Sequence, residues 1–156
     1  MIEIVHSALP APGRLFGGPR PDPPYPAALA ALREGGVSTV VSLLGEGELP
    51  PALERAYGDA GLALLRYPIA DFGIPENAAA FRSFLERVLA EMRAGAGIYI
   101  HCAMGRGRTG TAVAFLLALA GAEGDPVALT RSIYRRDTVE TAGQQTFVAR
   151  FAAGRR

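Results

Sequence analysis

The stretch that most constrains the fold runs from residue 97 to residue 120. Gly97-Ile98-Tyr99-Ile100 is short, apolar and β-rich, and reads as a buried strand. Thr111 to Ala120 is apolar and long enough for a buried helix. Between them lies His101-Cys102-Ala103-Met104-Gly105-Arg106-Gly107-Arg108-Thr109-Gly110, read as a loop from a strand end to a helix start. Backbone N–H groups at such a place lack partners and point outward, so the loop can hold an anion.

The residue types indicate which chemistry that anion serves. Cys102 is the only cysteine, His101 precedes it directly, and Arg108 follows after five residues. A helix N-terminus and nearby arginine favour the thiolate, which is the nucleophilic form. Glycines 105, 107 and 110 let the backbone curl until its N–H groups converge on a tetrahedral oxyanion. The cradle is therefore expected from Ala103, Met104, Gly105, Arg106, Gly107 and Arg108. Arg108 also offers a planar fork that holds two equatorial oxygens at once, which lysine would not. Nucleophile, cradle and clamp together describe phosphoryl transfer to sulfur.

Other readings of the stretch are weaker. A lone cysteine is most often a small buried hydrophobe, but the spacing of His101 and Arg108 argues against that here. Gly105 to Gly110 also spells G-x-G-x-x-G, which in dinucleotide-binding folds opens a βαβ unit. No convincing strand follows Gly121, so that unit is incomplete. A P-loop of the Gly-Lys-Ser/Thr type is excluded because the chain has no lysine.

At 156 residues the chain reads as one domain, 1–156, able to bury its own core. Hydrophobic content of 49% with 20% charged residues points to a globular chain. A net charge of +1 gives no global attraction to nucleic acid or membrane. One cysteine allows no internal disulfide, and the N-terminus lacks a signal-peptide pattern, so a cytoplasmic setting is expected. The apolar run near residues 112–122 is too short to span a bilayer. Two histidines and one cysteine make a zinc site an unsuitable expectation. No cofactor is expected, and the chain is expected to act as a monomer.

Along the chain, Ile2 to Val5 reads as an edge strand and Arg14 to Gly18 as a second short strand. Pro19 to Pro26 holds five prolines and reads as a stiff loop, with Arg14 and Arg20 solvated. A short helix is expected over Ala27–Gly35, an interior strand over Val37–Leu44, and a helix over Pro50–Ala60. Glu46 and Glu48 lie between the last two and read as exposed loop charge, with contact to substrate or Arg108 as the alternative. Leu62 to Ile69 reads as a third core strand, running into Ala70-Asp71-Phe72-Gly73-Ile74-Pro75. Asp71 sits just beyond a strand end, as Cys102 does, so both can reach one crevice. A carboxylic acid there can protonate a leaving oxygen. Glu76 to Ala94 is an amphipathic helix whose buried stripe includes Phe81, Phe84, Leu85, Val88, Leu89 and Met92. Asp125 is an N-cap before Pro126, opening a helix to Arg136, and Ala142 to Ala153 is the last helix.

His-Cys, five residues, Arg, then Thr resembles the signature of cysteine-dependent protein phosphatases. Asp71 to Pro75 resembles the general-acid loop of the dual-specificity members. The resemblance to small atypical enzymes of the VHZ/Cdc14-like type runs from about Leu9 to Phe151 and takes in Val139-Glu140-Thr141 with its glutamine. It implies an α/β single domain with a central, mostly parallel sheet flanked by helices. It implies phosphomonoester hydrolysis through phosphocysteine, without metal, on a phosphorylated protein or small phosphomonoester. Within it Cys102 is the nucleophile, Arg108 the clamp and Asp71 the acid and then base. Thr109 donates to the sulfur, His101 is a scaffold for the thiolate, and Gln144, or Gln145 if the register differs, orients the hydrolytic water. Arg106 is unusual for the signature. Its side chain is expected to point outward, either solvated or meeting a second anionic group on the substrate. The alternatives are a phosphoinositide or inositol phosphate phosphatase and, in another class, a catalytically silent phosphate-binding module.

Overall fold

The computed structural model describes residues 1–154. Five strands, β1 (Ile2–Ile4), β2 (Arg14–Gly18), β3 (Thr39–Ser42), β4 (Ala63–Arg66) and β5 (Gly97–His101), form one sheet in the order β1-β2-β5-β3-β4. Only β1 runs antiparallel to its neighbour. The described residues also form six helices: α1 (Tyr25–Glu34), α2 (Pro51–Asp59), α3 (Ala78–Arg93), α4 (Gly107–Leu119), α5 (Pro126–Ile133) and α6 (Ala142–Gly154). This is the α/β, mostly parallel architecture expected from the sequence.

Strand alternation divides the core into two layers. Leu15, Val41, Ile98 and Ile100 face one way and pack with Phe81, Leu85 and Val88 of α3 and Val113 and Leu117 of α4. Phe16, Val40 and Tyr99 face the other way, onto Leu29 of α1 and Leu53 and Tyr57 of α2. Helix α4 is buried from Gly107 to Ala118, so it needs no polar face, in keeping with its sequence. Phe115 anchors it, stacked on Phe151 at 3.8 Å between ring centroids and edge-on to Phe81 at 5.2 Å.

Two expectations are corrected. The stretch 101–110 is not all loop: His101 ends β5, and α4 begins at Gly107, where the Arg106 carbonyl accepts from the Gly110 N–H at 3.0 Å. Arg108 and Thr109 therefore stand in the first helical turn. The third strand is at an edge, and only Ala63–Arg66 is regular, with Leu64 and Leu65 half-buried. Pro68, which has no N–H to give, lies just past it. The chain still follows β3, since the Ile69 N–H donates to the Leu43 carbonyl at 3.2 Å. That course delivers residues 69–71 to the C-terminal ends of the parallel strands, where crevices form in such sheets.

Candidate active site

β5 sits centrally, between β2 and β3, and carries His101 and Cys102 to the sheet's C-terminal edge. There Cys102, Gly107, Arg108, Asp71, Phe72, Ala103, Met104, Arg106 and Glu140 line a pocket of about 100 Å³. The structure thus brings the expected nucleophile, clamp and acid to one small cavity.

The loop's curvature depends on glycine. Gly105 has φ +72°, and a Cβ there would come within 2.5 Å of the Gly18 backbone. A Cβ on Gly107 would meet Gln144 at 3.0 Å and Glu140 Oε2 at 3.1 Å. The loop's carbonyls are tied down from outside. Tyr134 Oη donates to the Gly105 carbonyl at 2.7 Å, Arg135 Nη1 to that of Met104 at 3.0 Å, and the Arg20 N–H to that of Ala103 at 3.0 Å. With the carbonyls held outward, the loop amides are left for an anion. Burial pushes the Tyr134 hydroxyl up to about 12, so it remains a donor at all ordinary pH.

Arg108 is 2% exposed, and both terminal nitrogens of its guanidinium have partners. Nη1 donates to Glu48 Oε1 at 2.9 Å and to the Ile69 carbonyl at 2.9 Å, and Nη2 to Glu48 Oε2 at 3.1 Å. Nη2 also pairs with Asp71 Oδ1 at 3.1 Å. Glu48 is therefore a partner of the clamp and not the exposed loop charge favoured from sequence. Its position after an interior strand, at the same sheet edge as Cys102, was the available signal. Glu46 remains exposed. Asp71 is itself exposed, on a loop where Phe72 has φ +60° and its N–H donates to Asp71 Oδ1 at 3.0 Å.

His101 is completely buried. Its Nδ1 lies 3.0 Å from the Cys102 carbonyl, which only accepts, so Nδ1 carries the proton. Nε2 then accepts from Tyr57 Oη at 2.8 Å. Burial lowers the His101 pKa from 6.5 to about 4, so the ring is a neutral prop between strand and α2. Tyr57 is a further site residue that sequence reading missed; a tyrosine on the buried stripe of α2 carries no signal of its hydroxyl's task.

Thr109 Oγ1 is buried with no partner, so it makes no hydrogen bond to the sulfur in this structure. Gln144 is buried, and Gln145 is exposed. Gln144 Oε1 accepts from the Glu140 and Thr141 N–H groups at 2.9 and 3.1 Å, and Nε2 donates to the Gly73 carbonyl at 3.1 Å. Gln145 Nε2 instead donates to the Val139 carbonyl at 3.3 Å. Of the two glutamines, Gln144 touches both the acid loop and the phosphate loop. Arg106 differs from both expectations in one respect: its side chain is partly exposed, as the solvated reading has it, but its guanidinium is paired with Asp137 and Glu140. Arg14, read as solvated, holds Glu3 through two hydrogen bonds of 2.8 and 2.9 Å. Among the described residues no cluster of His, Cys, Asp and Glu suits a metal ion, and no helix is long and apolar enough to cross a membrane.

This fold and loop define the class of cysteine-dependent phosphatase domains. The family model described as "Polymorphic toxin system, DSP-PTPase phosphatase" matches residues 17–122, and the chain belongs to that family. A protein of Invertebrate iridescent virus 3 that carries a provisional tyrosine phosphatase name is 34% identical over 110 residues, 67% of this chain and 42% of that protein. The chain spans about half the length of the curated relatives it matches. Among solved structures, Tk-PTP in its active form superposes with a TM-score of 0.75 at 24% identity, covering 90% of this chain and 91% of that one. Kinase associated phosphatase gives 0.76 at 21% identity, covering 91% and 86%. These likenesses agree with the α/β fold described above.

Proposed function

We propose that residues 1–156 form one phosphatase domain that hydrolyses phosphomonoesters, protein phosphotyrosine foremost, through a phosphocysteine intermediate. The observation that carries this reading is the convergence of Cys102, Arg108 and Asp71 on one pocket of about 100 Å³. Cys102 Sγ attacks phosphorus as thiolate while Arg108 and the loop amides hold the equatorial oxygens. The bond to the leaving oxygen breaks as Asp71 gives that oxygen a proton. Water then attacks phosphocysteine, Asp71 takes its proton, and the S–P bond breaks. Gln144 has one Nε2 hydrogen left to orient that water, and Thr109 Oγ1, unpartnered before reaction, turns its hydrogen to the departing thiolate. The charge stabilisation comes from Arg108 and the amides, so no metal is required.

The rim supports an aromatic leaving group over a polyanionic one. Phe72 and Met104, 61% and 64% exposed, flank the pocket, and exposed Ile74 follows Phe72 by two residues. Of the two arginines that line this pocket, the partly exposed one, Arg106, is already paired with two acids. The substrate is a phosphorylated protein or a small aryl phosphate, and the chain works as a monomer in the cytoplasm. The test is hydrolysis of para-nitrophenyl phosphate with EDTA present, and acid-quench trapping of ³²P on the protein. Cys102→Ser should abolish turnover and trapping while inorganic phosphate still binds. Unimpaired hydrolysis by Cys102→Ser would overturn the mechanism, and phosphate binding without turnover by the unaltered chain would make it a silent binding module.

A further inference from the structure

The connector between α5 and α6 delivers two acids to one guanidinium. Arg106 Nε lies 3.1 Å from Asp137 Oδ2, and Nη2 lies 3.3 Å from Glu140 Oε1. Nε is buried and makes no hydrogen bond, so its contact with Asp137 is one of charge and not of aligned donor and acceptor. Arg135 completes the group, with Nη2 on Asp137 Oδ2 at 2.8 Å. Two cations and two anions thus cancel.

The connector is built to hold this arrangement. Val139, between the two acids, is fully buried with φ +54°, a conformation that costs a β-branched residue energy and needs outside support. The support is present: Arg131 donates to the Thr138 and Val139 carbonyls at 3.0 Å each, and Gln144 Oε1 accepts the Glu140 N–H. A Cβ on Gly110 would meet Thr138 at 2.5 Å, so the connector lies directly against α4. Glu140 is consequently fixed in the lining of the pocket where a phosphate would sit. A carboxylate so close to that position repels a dianion unless its charge is cancelled.

We propose that Arg106 is a positioning residue that acts through Glu140, cancelling its charge at the pocket mouth so that a phosphate dianion can enter. The Arg106 side chain does not touch the substrate; only its backbone belongs to the cradle. This inference rests on the phosphatase reading, since the rim charge matters only if phosphate occupies the pocket.

The experiment measures inorganic phosphate binding on the Cys102→Ser protein at fixed ionic strength, and KM against kcat for para-nitrophenyl phosphate on the active chain. Arg106→Leu should weaken phosphate binding and raise KM by about three- to tenfold, with kcat moved less. Glu140→Gln in the same chain should restore both to within about twofold, because Arg135 and Asp137 still cancel each other. Arg106→Lys, which keeps the charge and loses the fork, should stay within about twofold of the starting protein. Thermal melting of each variant separates misfolding from weakened binding. A loss in Arg106→Leu that Glu140→Gln leaves undiminished would mean that Arg106 contacts the substrate, and would overturn the proposal. So would no loss at all, or Arg106→Lys failing as badly as Arg106→Leu. If the parent proteins neither bind phosphate nor turn over, it is the phosphatase reading that fails.

Discussion

The phosphate loop joins a buried floor to an exposed rim, and each carries an arginine held by two carboxylates. On the floor, Arg108 is 2% exposed, and its donors are aligned on Glu48 and on a backbone carbonyl. On the rim, the Arg106 side chain is 38% exposed, and its ion pairs with Asp137 and Glu140 are contacts of charge. The same pairing thus has different consequences. Aligned hydrogen bonds in a buried site fix direction, which a clamp on phosphate needs. Loose contacts near water mainly set the local charge, and salt screens them.

The largest effect should come from the residue that joins the two zones. Asp71 is exposed, yet its carboxylate reaches the buried Arg108 Nη2 at 3.1 Å. A phosphate dianion competes for that donor, which would release Asp71 toward the leaving oxygen. Asp71→Asn should lower kcat by about 10²–10⁴ for phenyl and alkyl leaving groups. The loss should shrink as the leaving group becomes more acidic, because less proton transfer is needed. Inorganic phosphate should bind the Cys102→Ser protein at least as tightly when Asp71 is also Asn. A uniform loss over a leaving-group series would reassign Asp71 to holding Arg108 alone.

The next effect belongs to the floor alone and is one of stability. Burial lowers the His101 pKa from 6.5 to about 4. Between those values the unfolded chain binds a proton that the folded chain refuses, so stability rises with pH through that window. The contribution is fully present above about pH 6.5 and is lost as pH falls toward 4, amounting to about 3 kcal/mol at most. Denaturant unfolding measured at several pH values, for the unaltered chain and for His101→Gln, should show a shallower slope in the variant over that window. Equal slopes would mean that His101 takes up its proton without unfolding.

The floor was far more legible in the sequence than the rim. Cys102, Arg108 and the glycines are local in the chain, and the spacing that makes a cradle is written in ten residues. The strand and helix around them follow from apolar runs that only a buried position tolerates. The partners of that loop are distant in sequence. Glu48 is 60 residues from Arg108, and Tyr57 is 44 from His101. One acid in a glycine-rich loop looks like another until the sheet brings it to the clamp. The pairing of Arg106 failed to show for the same reason, since Asp137 and Glu140 gain meaning only once the α5–α6 connector lies across α4. The edge position of β4 was hidden because Leu62 to Leu65 is apolar enough for an interior strand; strand order depends on crossovers that no local pattern states.

The smallest effect tests whether aligned contact or charge matters at the floor. Glu48 holds Arg108 through both carboxylate oxygens and is about one-third exposed, at 32%. Glu48→Gln removes the charge and one acceptor, while Arg108 keeps the Ile69 carbonyl and Asp71. kcat should fall about tenfold, the loss of one charge-assisted hydrogen bond in the transition state. KM should not rise, because a negative charge near the phosphate has been removed. Glu48→Asp keeps the charge but shortens the reach by one methylene, so aligned contact is lost and the repulsion stays. If direction is what Glu48 supplies, Glu48→Asp should lose as much kcat as Glu48→Gln, with a higher KM. If Glu48→Asp keeps the full rate, the floor works by charge, as proposed for the rim, and the contrast between the two arginines disappears. Added salt separates the cases again: rim variants should converge at high ionic strength, while the kcat deficit of Glu48→Gln should persist, because a hydrogen bond to a buried guanidinium is only weakly screened.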